Sequence, residues 1–389
     1  MTTRRSDIVD AESPGVYHCI SRCVRREALI ADPARRAWVV ARLEFLTRFA
    51  AVDVISFAVM ENHLHLLLGI RPDVVRDWSD REVAFRRLSL LPNRRGRTRP
   101  SGPAQSEPTL EDINALLASP ARIRDARRDL SSLGFFHRLL KEPCARLWNR
   151  EDGVTGHFWE GRYKSPRVLD ERALLEVSTY IELNEVRACA AESVPGSVWT
   201  SARTQWDRLC QAARDASIRE ANGNENAIAV LQSVRWTPAM PFSACPYQDL
   251  QTHHQRPPLP LPRYLTARRS LVDYVDRVDS VGRVARNGKP GRIPAIQPVA
   301  VGRAISQARV ALGTASALAS AAAARLSSWW RDAQAGIGTA FHHEFSTAEP
   351  DDDAMVPRGS CYGSPVSIAR EALRRGKPRL VAIPLRTLR

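Results

Sequence analysis

Two short segments more than a hundred residues apart hold side chains whose types and spacing suit phosphodiester chemistry. In Glu61-Asn62-His63-Leu64-His65, two imidazoles lie two residues apart behind Asp53 to Met60, a run of strand composition. On a strand, residues i and i+2 point to one face, so His63 and His65 can grip one ion together. In Tyr180-Ile181-Glu182-Leu183-Asn184, a phenol and an amide are four residues apart within a helical pattern and project from one helix face. Imidazole suits several divalent ions, and Asn184 adds an oxygen donor as a third ligand, which favours Mg²⁺ or Mn²⁺ over a thiolate-type zinc site. A phenol titrates near 10 and is a poor nucleophile unaided; a nearby cation would lower that pKa and polarise a phosphate as well. Each pattern also has a plain structural alternative: a histidine pair at a core edge, or a tethered tyrosine in an amphipathic helix.

The elements that must position these residues can be read in outline. Val16 to Val24 has strand composition. Asp32-Pro33 marks a helix start that runs to about Phe49, with Trp38, Val39, Leu43, Leu46 and Phe49 as its apolar stripe. Val52 to Met60 and His63 to Ile70 read as an antiparallel pair. Trp78 to Leu90 and Leu133 to Asn149 read as helices, Tyr163 to Leu169 as a strand, and Asp170 as the cap of a helix over Glu171 to about Ala190. This order implies an α+β fold of ferredoxin-like plan, an antiparallel sheet with helices on one face. Leu91 to Thr109 reads as a flexible basic loop and Gln255 to Arg263 as a Pro-rich connector. Helices are expected in Tyr264 to Val284 and Val301 to Gly336, and solvated segments at Asp351-Asp352-Asp353 and beyond Arg370.

Composition narrows the partner. Among 389 residues, 57 Lys+Arg face 42 Asp+Glu, a net charge of +15, and the basic residues are overwhelmingly arginine. Such a surface attracts polyanions, with nucleic acid the commonest, and guanidinium favours bidentate phosphate contacts. In Gly156 to Ser165 aromatic and basic residues alternate, as on a surface that holds phosphates and stacks bases. Arg22, Arg162, Lys164 and Arg167 are the candidate DNA contacts, and His157 is a candidate third imidazole or DNA contact. The seven cysteines contain no C-x-x-C pair, which argues against a structural zinc site. No signal peptide or membrane span is expected, and the implied location is cytoplasmic, nucleoid-associated.

Four stretches, in order, resemble the REP-associated tyrosine transposases, a branch of the single-tyrosine HUH transposases of insertion sequences. They are Gly15-Val16-Tyr17-His18 with Ser21-Arg22; Met60 to Leu67; Asn149-Arg150 through Gly161 to Ser165; and Tyr180 to Ala188. The resemblance spans about residues 10–205, leaving 206–389 as a mostly helical, partly disordered extension. It implies a ferredoxin-like, RRM-like HUH endonuclease core. His63, His65 and Asn184 fall on the metal ligands and Tyr180 on the nucleophile, which attacks single-stranded, hairpin or palindromic DNA to form a 5′-phosphotyrosine and release a 3′-hydroxyl. It further implies a homodimer with Mg²⁺ or Mn²⁺ and no small-molecule cofactor. Two departures stand out: the family's Asn-Pro is Asn184-Glu185 here, which brings a carboxylate beside the expected site, and 81–130 is enlarged by an insertion. A DNA-nicking and strand-transfer enzyme, a domesticated or inactive DNA-binding protein that keeps the fold, and a metal-dependent hydrolase using activated water are the three readings open to this sequence.

Overall fold

The computed structural model describes residues 9–91, 108–223, 225–242, 269–286, 288–312, 321, 324–328, 361–376 and 380–383. Most of the basic loop at 92–107, the Pro-rich connector and Asp351 to Asp353 lie outside these residues.

Strand β1 (Gly15–Arg22) pairs antiparallel with β3 (His63–Ile70), and β3 pairs antiparallel with β2 (Val52–Val59). The expected strand near 163–169 is short, β4 (Arg167–Val168), preceded by a bridge between Ile20 and Lys164. The fifth strand, β5 (Cys361–Tyr362), comes from far along the chain and runs parallel to β4, giving the order β2-β3-β1-β4-β5. The sheet is therefore mixed rather than wholly antiparallel.

Helices cover both faces, not one, because the strands bury side chains on both sides. Tyr17, Cys19, Leu64, Leu66 and Leu68 pack with Val39, Leu43 and Leu46 of α1 (Pro33–Phe49). Val16, Ala58 and Leu67 pack with Leu174, Val177 and Ile181 from the helix that follows β4. The near-continuous leucine run of β3 reflects burial on both faces. Asp32 caps α1 by accepting from the Ala34 amide at 2.8 Å, with Pro33 in the first turn. Beyond β3 come α2 (Pro72–Asp77), α3 (Asp80–Ser89), α4 (Leu110–Leu117), α5 (Pro120–Leu130) and α6 (Leu133–Glu151). Thus most of the described part of 81–130 is helical.

The helix expected over Glu171 to about Ala190 is divided. α7 (Glu171–Glu182) ends at Leu183 and a short α8 (Asn184–Arg187) follows, so Tyr180 and Asn184 sit on separate helices. The side chain of Asn184 competes for the local carbonyls, its Nδ2 donating to those of Tyr180 and Ile181 at 3.0 and 3.1 Å.

α9 (Ser201–Ala221) runs straight through the boundary expected near residue 205. α10 (Ala227–Ser233), α11 (Leu271–Arg283) and α12 (Ala300–Leu312) share one hydrophobic core with the sheet and α7, and α13 (Pro365–Arg374) follows β5. The outer edge of β2 is covered by later chain: Val54 exchanges backbone bonds with Met240, and the Val59 amide donates to the Trp199 carbonyl at 2.9 Å. This closes an edge that would otherwise invite strand pairing. No helix among the described residues is long and apolar enough to cross a membrane.

Asp53, at the start of β2, is buried and accepts from the Phe242 amide at 2.9 Å. Burial pushes its carboxyl up from an ordinary 3.8 to about 6, opposed by that bond and by Arg71. Because the folded pKa exceeds the unfolded one, this carboxyl should cost stability as pH rises from about 4 to about 6, and the cost then levels off. Asp53→Asn keeps the acceptor oxygen. It should flatten that slope and gain on the order of 2–3 kcal/mol at neutral pH, read from urea midpoints across the pH range.

Candidate active site

The pairing of β1 with β3 builds the site. Arg22 lies opposite His63 and Ile20 opposite His65, so alternation puts His18, Ile20 and Arg22 on the same face as both histidines. That face is the one α7 crosses, and it brings Tyr180 to the pair. Ring centroids are 5.0 Å apart for His63 and His65, 5.6 Å for His65 and Tyr180, and 6.1 Å for His18 and Tyr180. Thus the expected nucleophile and the expected imidazole pair meet, and Asn184 is bonded to the last turn of the tyrosine's helix.

His18 was not singled out as a chemical group by sequence reasoning. Its Nε2 lies 2.9 Å from His65 Nδ1, and its Nδ1 lies 3.2 Å from Tyr362 Oη. Both partners are buried, and Tyr362 belongs to β5, more than three hundred residues away. Its position in a regular strand was legible, but the register that brings it to His65 was not.

Hydrogen bonding sets which nitrogen each imidazole can offer a cation. Asn62 Nδ2 donates to the Arg26 carbonyl at 2.9 Å, which turns Oδ1 toward His63 Nδ1 at 2.6 Å. A carboxamide oxygen only accepts, so Nδ1 of His63 carries the proton and Nε2 keeps its lone pair. For His65, Nε2 is open only in the polarity where its Nδ1–H donates to His18 and the Nδ1–H of His18 donates to Tyr362. All three rings are held neutral by burial: His18 is pushed down to about 3, His63 to about 4, and His65 well below its usual range. Arg22 and Lys289 add to the depression at His63 and His65.

Neutral imidazoles with lone pairs fit a divalent cation. Asn184 spends its amide nitrogen on the helix, and no hydrogen bond among the described residues ties its oxygen to the two imidazoles. Among the described residues, no group of three or more His, Cys, Asp or Glu is placed to hold a metal ion. A cation here would therefore rest on the two imidazoles and on ligands from beyond them, water or substrate included. Tyr180 is partly exposed. Burial raises its phenol above the ordinary range, while Arg286 and Arg22 pull it down.

The carboxylate of Glu185 faces away from this cluster. It is buried, accepts from the Trp199 amide at 2.9 Å and lies 3.9 Å from Arg36, which also pairs with Glu61. Its role is to satisfy a backbone donor on the segment covering β2. Glu185→Gln should therefore leave affinity for single-stranded DNA unchanged in a polarisation titration. Glu185→Ala, which strands the Trp199 amide, should lower stability by about 1–3 kcal/mol in denaturant melts.

The other candidate contacts separate. Arg162, Lys164 and His157 are exposed, and His157 is not part of the imidazole cluster. Arg22 is partly exposed at the cluster. Arg167 turns inward, contrary to the expectation of a DNA contact: its guanidinium pairs with Glu371 at 2.6 Å, donates to the Pro14 carbonyl and lies over the Tyr17 ring. β4 lies between two strands, and the buried ion pair holds α13 to it.

No protein-family model matches the chain, and no curated protein is similar to it. One solved structure, described as "Structure of the REP associates tyrosine transposase bound to a REP hairpin", aligns over 52% of this chain and 82% of that one, at 10% identity and a TM-score of 0.27.

Proposed function

We propose that the chain nicks single-stranded or hairpin DNA and transfers the strand through a covalent tyrosine intermediate. The observation that carries this reading is the meeting of Tyr180 with His65, itself beside His63, from segments more than a hundred residues apart, on one face of the sheet. Tyr180 Oη attacks the scissile phosphorus, the bond to the 3′-oxygen breaks, and the phenol's proton ends on that oxygen. The products are a 5′-phosphotyrosine and a 3′-hydroxyl, and attack by another 3′-hydroxyl reverses the step on a new strand.

His63, His65 and Asn184 would hold Mg²⁺ or Mn²⁺. When bound, the ion supplies Lewis-acid polarisation of the phosphate and compensates a phenol that burial keeps protonated. Asn62 fixes the His63 tautomer, and the His18–Tyr362 pair accommodates the His65 tautomer that leaves Nε2 open. Arg22 adds positive charge where the phosphate carries negative charge.

A non-catalytic, DNA-binding reading drew its force from Glu185 and from the long stretch of weak sequence signal after about residue 205. With that carboxylate bonded to Trp199, no negative charge from it faces the tyrosine. The activity is tested by incubating the full chain and Mn²⁺ with a labelled hairpin oligonucleotide and resolving the products under denaturing conditions. A protein-linked label supports the reading. Nicked DNA without linkage would favour hydrolysis by activated water, and binding without any cleavage would favour the non-catalytic reading.

A further inference from the structure

Beyond the stretches that carry the family resemblance, a turn after α11 reaches the tyrosine. Arg286 and Lys289 form an antiparallel backbone bridge, the Lys289 amide donating to the Arg286 carbonyl at 3.1 Å, with Gly288 at φ +68° between them. The left-handed φ suits glycine, and the bridge sets Arg286 and Lys289 opposite each other along the backbone. Arg286 Cζ lies 5.6 Å from the centre of the Tyr180 ring. Both side chains are partly exposed.

This turn is clamped to α8, directly after Asn184. The buried guanidinium of Arg187 donates to the carbonyls of Val281 (2.8 Å), Val284 (2.8 Å) and Gly291 (3.2 Å), on both sides of the turn. Gly291 packs so closely on α8 that a Cβ there would meet the Val186 carbonyl oxygen. The Ile293 amide closes the loop onto the Gly282 carbonyl at 2.9 Å. Three donations from one arginine make a rigid base, and a preorganised cation loses little freedom on binding an anion.

The charges that bear on Tyr180 are Arg286 and Arg22, and on the histidine pair Arg22 and Lys289. Glu185, the nearest acidic neighbour in sequence to Asn184, is turned to Trp199. Positive groups from both halves of the chain thus gather around one phenol.

We infer that Arg286 and Lys289, held by Arg187 and Gly291, form a phosphate-binding subsite that seats the backbone of a polynucleotide against Tyr180. This rests on the proposed DNA-cleaving function but concerns binding, and it assigns to the later part of the chain a direct share in the site.

The test uses the full chain carrying Tyr180→Phe, in EDTA, with a fluorescent single-stranded hairpin oligonucleotide titrated over a range of salt. Removing both charges, Arg286→Gln with Lys289→Gln, should weaken binding and make the log K against log salt slope shallower by about 0.7 for each phosphate no longer neutralised. Gly291→Ala keeps the charges but lifts the turn. It should weaken binding similarly and add little to the double charge variant, whereas a merely structural glycine would give additive losses. Unchanged affinity and slope in the double charge variant would overturn the subsite, as would absence of any binding by the parent protein. If the chain with Tyr180 intact never forms an adduct with Mn²⁺ yet these variants lose binding, the subsite stands and the cleavage reading fails.

Discussion

Replacing Tyr180 by Phe should abolish the protein–DNA adduct while leaving hairpin binding within about twofold. The substitution removes one oxygen from a partly exposed ring. Among the described residues that hydroxyl makes no hydrogen bond, and Asn184 bonds to the Tyr180 carbonyl rather than to the phenol. The packing of the ring against the cluster that holds α7 survives in phenylalanine. Loss of a nucleophile should cost at least about 10³-fold in rate, because no second group supplies the same covalent bond. The measurement is a denaturing gel of labelled hairpin with Mn²⁺, beside a polarisation titration in EDTA. If the Phe variant nicked DNA at the parent rate with no linked product, the chemistry would be hydrolysis and Tyr180 a packing residue.

The histidines carry the second large effect. His63→Ala and His65→Ala should each reduce adduct formation by more than about 100-fold, the upper end of what loss of an outer-shell partner costs, because each removes a ligand itself. Their consequences for the fold should differ. His65 is buried and bonded to His18, so its removal leaves a cavity and a buried imidazole short of a partner, and thermal melts should show a clear loss of stability. His63 is partly exposed at the end of β3, so its variant should melt close to the parent. Mn²⁺ affinity, read by calorimetry with hairpin DNA present, should fall in both. Unchanged Mn²⁺ affinity in His63→Ala would remove that residue from the ligand set.

Much of this site was legible because it depends on local rules. His63 and His65 share a face through strand alternation, Asp32-Pro33 and Asp170 open the helices they announce, and α7 carries Tyr180 as its apolar spacing requires. The break at Leu183 was not legible, since it turns on one amide choosing helix carbonyls over a continued helix. Nor was the inward turn of Glu185. Its partner is the backbone of Trp199, fourteen residues on, and only the path of the chain over β2 brings the two together.

What lay furthest from view was non-local. His18 is part of a motif, yet its partner Tyr362 arrives through a parallel two-residue strand with almost no sequence signal of its own. The chain after α9 read as an extension. In the fold, α11, α12 and β5 complete the core on the tyrosine's side of the sheet. Long-range register and parallel pairing are set by the whole core, so composition in a short window cannot announce them.

The central claim, that Tyr180 is the covalent nucleophile, meets its most direct test in the identity of the linked residue. Adduct formed with Mn²⁺ and a hairpin oligonucleotide is digested with nuclease and trypsin, and the modified peptide is sequenced by mass spectrometry. The expected product is a nucleotide phosphate on Tyr180 within the peptide from Ala173 to Arg187. A phosphate on Tyr362, the other phenol in the histidine cluster, or on any other residue would contradict it.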